Sequence, residues 1–219
     1  MNRHPSRTRL GAVGIALAGV LFALYETLAP RADQTTIEGA ASWTSNGWAF
    51  AHIAAIAGLV LIPMAWSALR GHLEGTGDGR TERTAFLAAS LGSVGSGLAI
   101  SYYGAEAYGL KAIGAHAVAE GDASLTAVGE SFRMDPTALA VFAAGLALIA
   151  TAAVLAAIAV RRSETLHRWS ATPMAAMMVL YLPHFFAPHP LRIAWGAAVA
   201  VSALWTAVEL WRAASHRSA

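Results

Sequence analysis

The chain has 219 residues, 56% of them hydrophobic and only 13% charged, with a mean hydropathy of +0.50. That balance excludes an ordinary soluble domain, and a formal charge of +2 with no long basic run excludes a nucleic-acid binder. Cysteine is absent, which removes disulfides, thiolate metal sites, iron–sulfur clusters and cysteine nucleophiles together.

A helix crossing a hydrocarbon core of roughly 30 Å needs about 20 mostly apolar residues. The sequence supplies six such runs, which predicts an all-α integral membrane protein: one domain, 1–219, with spans at about 10–28, 47–69, 84–110, 136–160, 170–186 and 190–211. The first run resembles a signal peptide, but it is long and ends in Ala29-Pro30, a poor cleavage site, so it reads as a retained helix. Ser45 and Asn46 are caps for the second, and Pro63 within it removes the bond to the Leu59 carbonyl. The third carries small residues four apart in two rows, Ala88, Gly92 and Ser96, then Ala89, Ser93, Gly97 and Ser101, a pattern that lets another helix approach closely. Between the second and third runs, the glycine-rich 71–80 lacks the GK[ST] ending of a phosphate loop and reads as a flexible linker.

The long connection 111–134 has room for extra structure. Capped by Ser124, a short amphipathic helix there places Leu125, Val128 and Phe132 on one face. The fourth span opens at Asp135-Pro136, an N-cap followed by proline at the first helical position. YLPHFFAPHP, residues 181–190, is the turn between the fifth and sixth, where prolines end one helix and start the next.

Positive charge follows the even connections. Arg3, Arg7, Arg9, Arg70, Arg80, Arg83, Arg161, Arg162, Arg168, Arg212 and Arg217 lie on one side, against Arg31, Lys111, Arg133 and Arg192 on the other. Cytoplasmic loops keep lysine and arginine, so both termini are expected in the cytoplasm of a cell-membrane protein, with 111–134 outside.

Depth along each helix picks out a candidate site. At 1.5 Å per residue, Glu26 lies about 25 Å from Arg9, His52 about 27 Å from Arg70 and His184 about 24 Å from Arg168, while Glu106 lies about 35 Å from Arg83 with Tyr102 and Tyr103 just below it. Imidazole is the commonest transition-metal ligand and a carboxylate can complete or orient such a site. His52, His184, Glu26 and Glu106 are therefore the candidate metal ligands, with Tyr102, His116 and His189 around them. With haem instead, His52 and His184 are the axial pair. With zinc and an open position, the protein is a membrane hydrolase acting on a lipid or small amide. With no cofactor, the groups form a small-ligand pocket or a carboxylate–histidine proton or substrate path in a small transporter, or only meet headgroups and water at the membrane interface of a structural subunit. None of HExxH, HxxxH or a paired histidine spacing on one helix is present, so no motif selects among these readings. The lipid bilayer is the expected partner, with a homo-oligomer or a larger membrane complex as further assemblies.

Overall fold

The computed structural model describes residues 5–74 and 79–216. It is a helical bundle, with no strand among the described residues. In chain order come α1 (Pro5–Leu28), α2 (Ile37–Thr44), α3 (Asn46–Leu73), α4 (Gly79–Ala105), a π-helical turn (Glu106–Leu110), α5 (Lys111–Glu120), a 3₁₀ turn (Ala123–Leu125), α6 (Thr126–Arg133), α7 (Pro136–Ser163), α8 (Thr172–Val179), α9 (Tyr181–His184) and α10 (His189–His216). Five helices are long and apolar enough to cross a membrane: Ser6–Leu28, Asn46–Leu73, Gly79–Glu120, Pro136–Ser163 and His189–Ser215.

The local reasons for these boundaries are visible in the side chains. The Ser45 hydroxyl accepts from the Trp48 N–H at 3.1 Å to open α3. Asp135 accepts from the N–H groups of Thr137 and Ala138 at 2.9 and 3.0 Å to open α7, with Pro136 in its first turn. Helix α3 stays helical through Pro63. At the end of α5, Gly121 has φ +65°, a left-handed conformation in which glycine carries no Cβ penalty.

Helix α1 packs between α3 and α10, and α4 packs between α3 and α7. Neighbours run antiparallel. Gly11 meets Ala68 where Gly58 meets Phe22, and Gly19 meets Ala203 where Gly196 meets Glu26. Arg9 lies 5.5 Å from the Trp211 ring, so the described starts and ends of the chain share one end of the bundle, the end that also holds Arg70 and Arg161.

Two expectations change here. The segment 170–186 is not one continuous helix but α8 and α9 meeting at Leu180. Pro183 has no N–H to give the Val179 carbonyl, and the helical ladder breaks at that carbonyl's position. The broken segment still runs alongside α10, with the Thr206 hydroxyl donating to the Ser170 carbonyl at 2.8 Å and the Trp195 indole to the Met177 carbonyl at 3.0 Å. It therefore returns the chain from the arginine-rich end to the opposite one. The second change is that the third apolar run does not stop at Leu110. It continues as helix from Gly79 to Glu120, 42 residues or about 63 Å, roughly twice a hydrocarbon core.

Helices α2, α5 and α6 form a cap around Trp43, Trp48 and Leu110 at the end opposite the arginines. Gly114 lets α2 lie on α5: a Cβ there would sit 2.4 Å from the Ala40 carbonyl oxygen. In α6 the buried positions are Thr126 and Gly129, with Phe132 packed on the cap core, while Val128 is exposed. The helix is turned from the Leu125–Val128–Phe132 face because Gly129 gives Trp43 and Leu110 closer access. In 71–80, residues 75–78 lie outside the described ones; the flanks belong to α3 and α4.

Of the two small-residue rows on α4, one is buried. Ala88, Gly92, Gly95, Ser96 and Ala99 face the bundle, whereas of the second row only Ala89 is buried and Ser93, Gly97 and Ser101 are exposed. A Cβ on Gly95 would sit 2.7 Å from the Gly145 carbonyl oxygen and 2.9 Å from the Ile149 nitrogen, backbone atoms that cannot rotate away. One on Gly97 meets nothing within 4 Å. Gly95→Ala is therefore expected to destabilise the detergent-solubilised protein by about 1–3 kcal/mol. Gly97→Ala should leave its thermal midpoint unchanged or raise it; equal effects at both sites would place α7 away from Gly95.

Candidate functional site

The four site residues read from the sequence lie in one buried layer near the cap, in two separate pairs. Glu26 on α1 is fully buried, and His184 on α9, His52 on α3 and Glu106 at the head of the π turn are 5%, 2% and 6% exposed. Groups that merely met headgroups and water at an interface would be open to solvent, and these are not.

In the first pair, His52 Nε2 faces a Glu106 carboxylate oxygen at 3.3 Å. The other oxygen accepts from Arg133 Nε at 2.8 Å, and Arg133 also approaches Glu130 at 3.7 Å and donates to the Gln34 side-chain carbonyl. Tyr102, stacked on Phe142, donates its hydroxyl to the Arg133 carbonyl at 3.1 Å and so positions the end of α6. Burial works against the Arg133 charge, but Glu106 more than offsets it and holds the guanidinium above its ordinary range. The π turn presents the Glu106 carbonyl to the Trp48 indole N–H, which donates to it at 3.2 Å, while the Trp48 ring lies 4.1 Å from His52. A π turn inside a long helix is a frequent mark of a functional position.

In the second pair, His184 Nε2 faces Glu26 at 2.8 Å. Arg192 donates to both Glu26 oxygens, at 3.1 and 3.3 Å, and Arg31 donates to one of them at 2.8 Å. His184 stacks on Trp195, with ring centroids 4.0 Å apart. Burial first, and then the charge of Arg192, push the Arg31 guanidinium below its ordinary range.

Tyrosines fill the space between the pairs. Tyr25 packs edge-on against His52 and Tyr103, and the Tyr103 and Tyr181 hydroxyls lie 2.9 Å apart. The two histidines therefore present neither ring nitrogen to each other. Among the described residues, no group of three or more histidine, aspartate or glutamate side chains is placed to hold a metal ion. His116 and His189 are exposed and take no part in either pair, and Glu106 sits level with His52 rather than farther out. The arginines escaped notice in the sequence because they were counted only as loop charges. A buried carboxylate needs a cation, and that requirement was the available signal.

A proton count follows from the geometry. His52 Nδ1 faces the Trp48 carbonyl at 2.9 Å and His184 Nδ1 faces the Tyr181 carbonyl, so each Nδ1 must carry hydrogen, since a carbonyl can only accept. Each Nε2 then faces a carboxylate oxygen, and that contact is a hydrogen bond when a proton lies between the two atoms.

No family model, curated protein or solved structure matches this chain.

The separation into two pairs has an energetic signature. In double-mutant cycles read by denaturation in detergent, His184→Gln with Glu26→Gln should be coupled by about 0.5–3 kcal/mol, and so should His52→Gln with Glu106→Gln. His52→Gln with Glu26→Gln should add within about 0.5 kcal/mol. Strong coupling in that cross pair would mean one shared site.

Proposed function

We propose that this multi-pass membrane protein takes up and releases protons at the layer of Glu26, His52, Glu106 and His184, and that it works by proton-linked binding rather than metal-dependent catalysis. The observation that carries the reading is the pair of histidines whose two ring nitrogens both face acceptors. Loss of the Nε2 proton leaves a lone pair against a carboxylate, and the two repel. Deprotonation then loosens α9 from α1, or α3 from the π turn, so proton release is tied to a change in packing.

The nitrogen that iron or zinc would take is the same Nε2, and in both pairs the carboxylate before it is held by arginine. A metal there would set a second cation against a carboxylate that arginine already neutralises, which argues for proton binding over the haem and hydrolase readings. The Tyr103–Tyr181 hydroxyl contact gives a polar link across the aromatic packing between the pairs. Toward the arginine-rich end, a small cavity is lined by Ile15, Trp66, Met174 and Thr206 among others. The Ser170 and Thr172 hydroxyls are buried without a partner among the described residues. In this reading the chain makes six crossings, with the broken segment 170–186 as the fifth, and the lysine and arginine bias assigns the arginine-rich end to the cytoplasm and the layer to the outer side.

Two measurements test this. In proteoliposomes with an entrapped pH dye and an imposed potential, the protein should carry protons above the protein-free background. His52→Gln and His184→Gln should each cut the rate by about 100-fold or more, as expected when a proton-transferring group is removed. A wild-type rate at background, or unchanged rates in both variants, would sink the reading. Orientation is tested separately: because the chain has no cysteine, single Ser6→Cys and Ser131→Cys variants report cleanly. An impermeant thiol reagent on intact cells should label the exposed position 131 and not position 6, and the reverse pattern would invert the topology.

A further inference from the structure

The two carboxylate clusters are unequal in charge. Around Arg133 there are two acidic partners, Glu106 and Glu130, for one guanidinium. Around Glu26 the ratio is reversed: among the described residues this one carboxylate is the only ion-pair partner of both Arg31 and Arg192, and it faces His184 as well. A negative charge is missing from the second cluster.

The donors that would meet such a charge are available. Arg31 donates to Glu26 through one terminal nitrogen only, which leaves its Nε and other terminal nitrogen without a partner among the described residues. Its side chain is 30% exposed, against 13% for Arg192 and 0% for Glu26, so the uncommitted edge opens outward while the carboxylate closes the inner side. The lowering of the Arg31 guanidinium by burial and by Arg192 is the electrical counterpart of this imbalance, and an added anion relieves it. The chain on either side of the two arginines is apolar and open: Leu28 is 45% exposed, Leu191 60% and Phe186 85%. Arginine forks beside exposed apolar side chains, at the end of an apolar helix, match a molecule that joins an oxyanion to hydrocarbon.

We propose that Arg31 and Arg192 bind the phosphate group of an anionic phospholipid, with its acyl chains lying against Leu28, Phe186 and Leu191. The phosphate oxygens accept from the uncommitted edge of Arg31 and from Arg192, as guanidinium forks bind phosphate elsewhere. Glu26 keeps its inner bonds and prevents a second anion from entering. The site stands whether or not the layer moves protons, because its evidence is the charge imbalance and the exposed apolar rim.

The test uses the full-length protein in a neutral detergent, titrated calorimetrically with short-chain phosphatidylglycerol, short-chain phosphatidylcholine and inorganic phosphate. Phosphatidylglycerol should bind saturably and more tightly than the other two. Arg31→Gln should weaken it by about tenfold, the loss typical of one charged hydrogen-bonding partner. Arg31→Lys, which keeps the charge and loses the fork, should fall between, and it carries the test if gel filtration shows the glutamine variant misfolded. Equal binding of the two lipids, or phosphatidylglycerol binding that survives both substitutions, would overturn the site. If inorganic phosphate bound as tightly as the lipid with the same dependence on Arg31, the ligand would be a free oxyanion and the lipid assignment would fall. None of these readouts involves proton movement, so failure here and failure of the proton-flux experiment are separate results.

Discussion

A carboxylate taken out of water has to be met by positive charge or by hydrogen-bond donors, and Glu26 is met from three separate parts of the chain. Arg31 comes from just after α1, His184 from the broken segment and Arg192 from the first turn of α10. Those contacts hold the last part of the bundle to the first. Glu106 does the same for α3 and α6 through His52 and Arg133. Elsewhere the helices meet mostly through alanines, glycines and large apolar side chains, with hydrogen bonds such as Thr206 to Ser170 and Trp195 to Met177 between α10 and the broken segment. Glu26 ties α9 and α10 to α1, and Glu106 ties the cap to α3.

Much of this layer could be read from the chain. Counting 1.5 Å per residue inward from the arginines placed Glu26, His52 and His184 at one depth, and the structure places them in one layer. The count fails for Glu106 because Arg83 is not level with Arg70, whose guanidinium lies over the Phe86 ring one turn farther in. What depth cannot give is rotation about the axis. Equal height allowed His52 and His184 to share a ligand, but each ring is aimed at its own carboxylate with tyrosines between. Rotation is set by which small residues permit close approach, and on α4 these are Gly92, from the first row, and Gly95, which lay in neither row. Two equivalent-looking rows on α4 carry no mark in the sequence of which faces α7.

The misread boundaries have two causes, and the first is the use of bilayer thickness as a stop signal. Residues 106–120 hold few charges and no proline, so nothing in them ends a helix before Gly121 supplies a left-handed residue. The helix passes through the hydrocarbon length and carries α5 into the cap. The second is that the prolines of 181–190 were read as terminators at their own positions, unlike Pro63. The chemical effect of a proline falls four residues earlier, on the carbonyl it leaves without a donor, and so Pro183 breaks the segment near Val179 and Leu180.

That break is also what puts His184 to use. After Leu180 the chain resumes as the single turn of α9, and the Leu180 carbonyl accepts from the His184 N–H at 2.9 Å. The Tyr181 carbonyl is taken by the His184 ring itself. The imidazole is thereby fixed at one nitrogen by its own turn of helix and presents the other to Glu26, with Trp195 stacked on its face. His52 reaches the same state differently, bonding the Trp48 carbonyl one turn back in an unbroken helix while Trp48 lies against its ring. Two unlike backbones thus arrive at the same arrangement of carbonyl, imidazole, carboxylate and arginine, with an indole beside the imidazole. Ion pairs buried in this way contribute little stability beyond what well-packed apolar side chains of the same shape would give. Stability alone does not account for building the arrangement twice, and it is this repetition that the proposed proton-linked binding would explain.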